Sequence, residues 1–74
     1  MNLLTKTLDV DKLRGELARQ KISNNYLAEQ WGITAVNTSL KLNGKVKITP
    51  NELYIVAMIT KKPIEYFYSD IEGE

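Results

Sequence analysis

Start signals for α-helices recur along this chain at intervals so short that only a bundle of short helices can accommodate them. Asp9 or Asp11, Ser23, Thr34 and Thr49 are each good N-cap residues that precede apolar positions at helical spacing. The strongest signal is Thr49-Pro50-Asn51-Glu52. It joins a capping-box Thr to a Pro at the first helical position and a Glu three residues after the cap. Ile48 and Leu53 complete a hydrophobic staple around it. Gly32 and Asn43-Gly44 are stop signals, because a helix commonly ends in a left-handed residue and only Gly adopts that conformation cheaply. Pro63 is expected to open a last short helix carrying Ile64, Tyr66, Phe67 and Tyr68. The expected class is therefore all-α, a compact bundle of about five short helices.

With 74 residues there is room for one core and no second domain. The absence of Cys excludes a disulfide framework, and the joint absence of Cys and His removes the usual zinc ligands and most nucleophile–base pairs. Ser23, Ser39 and Ser69 have no imidazole to activate them, and there is no Gly-rich phosphate loop. An enzyme is not expected, nor a cofactor or a metal. The first residues, Met1-Asn2-Leu3-Leu4-Thr5-Lys6, lack the apolar run of a signal peptide or a membrane span, so no membrane partner is expected and a cytoplasmic address is. Residues 1–8 are taken as an N-terminal arm, 9–69 as the folded domain and 70–74 as an acidic tail. For Leu3, Leu4 and Leu8 three placements stay open: on the core, swapped onto a partner copy, or disordered.

Net charge is only +1, but its distribution is uneven. Between Gln30 and Asn51 there is no acidic residue, and Lys41, Lys45 and Lys47 all fall within that window. Beyond Lys62 the chain is acidic, with Glu65, Asp70, Glu72 and Glu74. Such a dipolar layout orients a domain on phosphate, although solvated surface lysines give the same pattern.

The informative stretch is Ser23 to Gly44, SNNYLAEQWGITAVNTSLKLNG. Ala28 is small where two helices would cross closely, Gly32 supplies a tight turn, and Ile33 can return to the core. This stretch resembles the Cro/C1-type helix-turn-helix family, with Leu27-Ala28-Glu29, Gly32-Ile33-Thr34 and Asn43-Gly44 at its recurrent positions. Lys12-Leu13-Arg14-Gly15, Ser39 to Val46 and Glu65-Tyr66-Phe67 are similar to small Cro-like regulators of phages of Gram-positive bacteria. The likeness spans roughly residues 9 to 68. It implies a lambda-repressor-like fold and sequence-specific binding of an operator in double-stranded DNA, with the third helix in the major groove. Under it, Thr34, Ala35, Val36, Asn37 and Ser39 reach base edges. Asn37 is the best reader, because its amide can pair bidentately with adenine. Ser23 and Asn24 grip phosphate, aided by the free amides of the helix end, and Lys41, Lys45 and Lys47 flank the groove. A homodimer would match a two-fold operator.

The chain also departs from the family pattern. Asn24 stands where the second helix usually carries Gln, Ala35-Val36 replace longer polar residues, and Thr38 replaces a buried aliphatic. Leu40 is then expected to be partly exposed. An outer face built on Val36 and Leu40 equally suits a protein partner. The alternative is therefore an antirepressor that binds a phage repressor protein and blocks its DNA binding. Trp31 is expected in the core, Tyr26 at an amphipathic rim, and Tyr66-Phe67-Tyr68 in core packing and a dimer contact.

Overall fold

A computed structural model describes residues 6–70. The order of elements is β1 (Lys6–Leu8), α1 (Val10–Arg19), α2 (Asn24–Trp31), α3 (Ala35–Leu42), α4 (Pro50–Thr60), a 3-10 turn (Ile64–Phe67) and β2 (Tyr68–Asp70). Each α-helix begins where a short polar side chain accepts from a backbone amide three residues on. Asp9 takes the Lys12 N–H, Ser23 that of Tyr26, Thr34 that of Asn37 and Thr49 that of Glu52. Of the two candidate caps for α1, Asp9 is the one used. At Thr49 both halves of the capping box form, since Glu52 also accepts the Thr49 N–H at 2.9 Å.

Among the described residues the fold is mainly helical but not all-α: where about five short helices are expected, there are four α-helices, one 3-10 turn and a two-stranded ribbon. After Pro63 the chain makes a single 3-10 turn and then runs into β2. β1 and β2 pair antiparallel, with Lys6 opposite Asp70, Thr7 opposite Ser69 and Leu8 opposite Tyr68. The ribbon is anchored to α1, because the Asp9 N–H donates to the Phe67 carbonyl at 2.8 Å and Ser69 Oγ donates to Asp9 Oδ2 at 2.9 Å. Leu8 lies in β1 and packs against the core. Leu3, Leu4 and the stretch 71–74 lie outside the described residues.

Leu13, Leu17, Leu27, Trp31, Leu42, Leu53, Val56 and Phe67 form one buried cluster to which every α-helix contributes. The Trp31 indole is buried, and its N–H donates to the Glu52 carbonyl at 3.0 Å, tying α2 to the start of α4. Thr38, in the place of an aliphatic, is fully buried and donates its hydroxyl to the Thr34 carbonyl at 3.0 Å. Its methyl therefore packs without an orphaned oxygen. No described helix is long and apolar enough to cross a membrane.

One buried carboxylate makes the fold sensitive to acid. Glu16 accepts from the Arg19 guanidinium, from Gln20 Nε2 at 2.6 Å and from the Tyr66 hydroxyl at 3.2 Å. The bonds from Arg19 and Gln20 outweigh burial and hold its pKa down to about 2, from an ordinary 4.5. A folded-state pKa below the unfolded one contributes stability that is complete above the unfolded value and lost as pH falls through the folded value. Glu16 therefore makes the protein less stable between about pH 4.5 and pH 2. Urea midpoints measured across that interval should fall, and Glu16→Gln should flatten the fall. An unchanged slope in Glu16→Gln would place the acid sensitivity elsewhere.

Candidate nucleic-acid interface

The centre of the candidate interface is the pair α2–α3, two eight-residue helices joined by Gly32-Ile33-Thr34. Gly32 is left-handed at φ 73°, and a β-carbon there would meet nothing within 4 Å. The constraint is thus on the backbone alone, about 1 kcal/mol or more for a residue other than Gly. Ile33 turns inward and its amide donates to the Ala28 carbonyl at 3.1 Å, while Ala28 is buried where the two helices pack. This turn sets the direction in which α3 leaves α2.

The first turn of α3 faces solvent. Thr34, Ala35, Val36 and Asn37 are all exposed, Val36 at 70%. Ser39 is half-buried, and Asn24 Nδ2 lies 3.5 Å from its hydroxyl. The start of α2, with Ser23 and Asn24 both exposed, thus sits directly beside the outer side of α3. Ser23 spends its hydroxyl oxygen as an acceptor on the Tyr26 amide at 3.1 Å. Of the candidate residues, Asn24 and Ser39 are therefore brought together, and Ser23, Thr34, Ala35, Val36 and Asn37 are open to solvent.

The three candidate lysines separate. Lys45 and Lys47 are exposed in the loop after α3, which folds back so that the Lys45 and Val46 amides donate to the Leu40 carbonyl. Lys41 does not join them. Its ammonium is 2.8 Å from Glu52 Oε1 and 3.3 Å from the Lys47 carbonyl, and both charged side chains are only 11% exposed. Burial pushes the Glu52 carboxyl up, but Lys41 and the Thr49 amide outweigh it and leave the pKa below the ordinary 4.5. Lys41 therefore fastens α3 to α4 and has no free charge to offer a phosphate. Its pairing with Glu52 also neutralises the first carboxylate beyond the acid-free window.

Arg14 was not singled out in the sequence, although it bears on the placement of α3. Its Nη1 donates to the Leu42 carbonyl and to Asn43 Oδ1, each at 3.2 Å, and its Nη2 pairs with Asp11. A cation at a helix C-terminus meets the negative end of the dipole. Only the general rule that helix ends attract cations hinted at this contact. Leu40, at 36% exposure, shares the outer face with Val36 and lies next to exposed Val46.

No family model matches the chain, no curated protein matches it, and no solved structure matches it. The functional reading rests on the residues themselves.

Proposed function

We propose that the chain is a Cro/C1-type helix-turn-helix regulator, a Cro-like repressor that binds operator DNA in the cytoplasm of a phage's host. The observation that carries this reading is the solvent-open first turn of α3, on a helix whose Ser39 lies beside Asn24 at the capped start of α2, with no acidic residue between Gln30 and Asn51. In the proposed complex α3 lies in the major groove. Asn37 pairs with adenine, and Ala35 and Val36 touch thymine methyl groups. Thr34 and Ser39 donate to base edges or to the adjacent sugar-phosphate. Asn24 and the free amides at the start of α2 position the domain on phosphate, flanked by Lys45 and Lys47. A pair of protomers would bind half-sites about 34 Å apart, one helical turn of the duplex.

A second reading is favoured by one specific feature, the exposed run of Val36, Leu40 and Val46 along the same side. Such an apolar strip suits an antirepressor that covers the DNA-binding face of a repressor protein. Variants separate the two readings. Under the first, Asn37→Ala weakens binding to the preferred duplex by about 1–3 kcal/mol and narrows the gap to a mismatched one. Lys45→Ala and Lys47→Ala each lower the dependence of log affinity on log salt by about one. Under the second, Val36→Asp and Leu40→Asp abolish binding to the repressor, while Asn37→Ala does little. Fluorescence anisotropy on a labelled duplex and on a labelled repressor domain measures both. Duplex affinity and salt dependence unchanged in Asn37→Ala, Lys45→Ala and Lys47→Ala would sink the DNA reading.

A further inference from the structure

A second surface lies away from the first turn of α3. The end of α1, the start of α2 and the C-terminal half of α4 border an open groove of roughly 580 Å³. Ile22 and Ile59 line it as half-buried residues, and Tyr26 and Met58 stand out of it as exposed ones. Met58 is 54% exposed, and Tyr54, one turn earlier on α4, is 57% exposed. These side chains give an aromatic and thioether strip on a small domain. Such residues are enriched at the centres of protein interfaces, where Met adapts its shape to a partner.

Two cations flank the strip. Lys21 follows the end of α1 and Lys61 follows the end of α4; both line the groove and both are exposed. Among the described residues neither has an acidic partner, and no carboxylate lines the groove. Both are left-handed, at φ 61° and 59°, and they are the only described residues other than Gly with positive φ. Helix ends attract cations, which accounts for basic residues nearby. It does not account for a side chain at the very position where Gly is favoured. The fold thus accepts backbone strain twice on the rim of one groove and gains a lysine each time.

We propose that this groove is a docking site for an acidic segment of a partner protein, anchored by apolar side chains. A bare phosphate backbone would leave the apolar floor of Ile22 and Ile59 uncovered, whereas an acidic segment with apolar anchors covers it and brings carboxylates to the lysines on both sides. Leucine-type anchors at every third or fourth position would seat against Tyr26 and Met58 with acidic residues toward Lys21 and Lys61. The inference stands apart from the role of α3, although Ser23 borders both surfaces.

The test uses the whole chain labelled for NMR and a synthetic peptide with leucines at helical spacing and glutamates between them. A twin peptide with lysines replacing the glutamates serves as control. The acidic peptide should shift the resonances of Ile22, Tyr26, Met58 and Ile59, with affinity that falls as salt rises. The Lys21→Gly/Lys61→Gly double variant keeps the left-handed backbone at both helix ends. It should fold at least as well as the parent and lose the binding. Met58→Asp, at an exposed position, should also lose it, and Asn37→Ala should not. Equal binding of both peptides, or no shift at the groove, would overturn the proposal. So would a DNA duplex that shifts these resonances and displaces the peptide, since the groove would then be a phosphate surface.

Discussion

Phe67→Ala unfolds this protein at room temperature. The Phe67 side chain is fully buried in the shared core, and its ring meets that of Tyr66 edge-on, with centroids 5.2 Å apart. Its carbonyl also receives the Asp9 amide that fastens β2 to the start of α1. Truncating a buried Phe to Ala costs about 3–5 kcal/mol. A single core in a chain of this length rarely supplies more than about 3–5 kcal/mol in total. The short 3-10 turn has no side-chain cap and Phe67 is its one buried residue, so this ring is the segment's apolar anchor beside the ribbon and its bonds to Asp9. Far-UV circular dichroism and the fluorescence of buried Trp31 should both report loss of the native state. Phe67→Leu, which keeps most of the volume, should fold with a lowered urea midpoint. Cooperative unfolding of Phe67→Ala within about 1 kcal/mol of the parent would show that the core does not close around this residue.

Lys41→Met has the second-largest expected effect and acts through charge. It leaves Glu52 ionised in a site that is only 11% exposed, with the Thr49 amide as its remaining partner. Removing one member of a buried pair costs about 3–5 kcal/mol, and the retained Thr49 bond argues for the lower end, about 3 kcal/mol. Glu52→Gln keeps an oxygen for the capping box and leaves the Lys41 ammonium without its counter-charge, for a smaller loss. The double variant Lys41→Met/Glu52→Gln removes both charges and should recover much of the stability lost in Lys41→Met. Strict additivity of the two single losses would show that the charges do not interact. Because the pair also joins α3 to α4, Lys41→Met should weaken duplex binding by no more than its unfolded fraction explains. A phosphate-contacting lysine would instead change the salt slope.

What was legible in the sequence was what is decided within a few residues. Ser23, Thr34 and Thr49 each cap a helix through the amide three residues on, so their positions alone placed α2, α3 and α4. The left-handed turn at Gly32 was readable for the same reason. The two strands were not, because Lys6 pairs with Asp70 across nearly the whole chain and three residues are too few to show alternation. Pro63 and the aromatics after it suggest a short helix, which forms as the 3-10 turn Ile64–Phe67, whereas Tyr68 leaves it to carry β2 onto β1. The pairing of Lys41 was not legible because its partner Glu52 lies in the next helix, and charge counting cannot tell a paired lysine from a free one. The contact of Arg14 was not legible because its acceptors, Leu42 and Asn43, lie at the end of a helix two elements away. The exposed first turn of α3 follows from the apolar positions of that helix, whereas the closeness of Ser39 to Asn24 required the packed structure.

Duplex binding by the intact protein tests the central claim most directly. Fluorescence anisotropy against DNA from the neighbourhood of its own coding sequence, with a scrambled duplex and two salt concentrations beside it, is the measurement. One segment should bind well above the scrambled control, and its affinity should fall as salt rises. Equal and feeble binding to both duplexes at both salt concentrations would contradict the assignment of α3 as a DNA-reading helix.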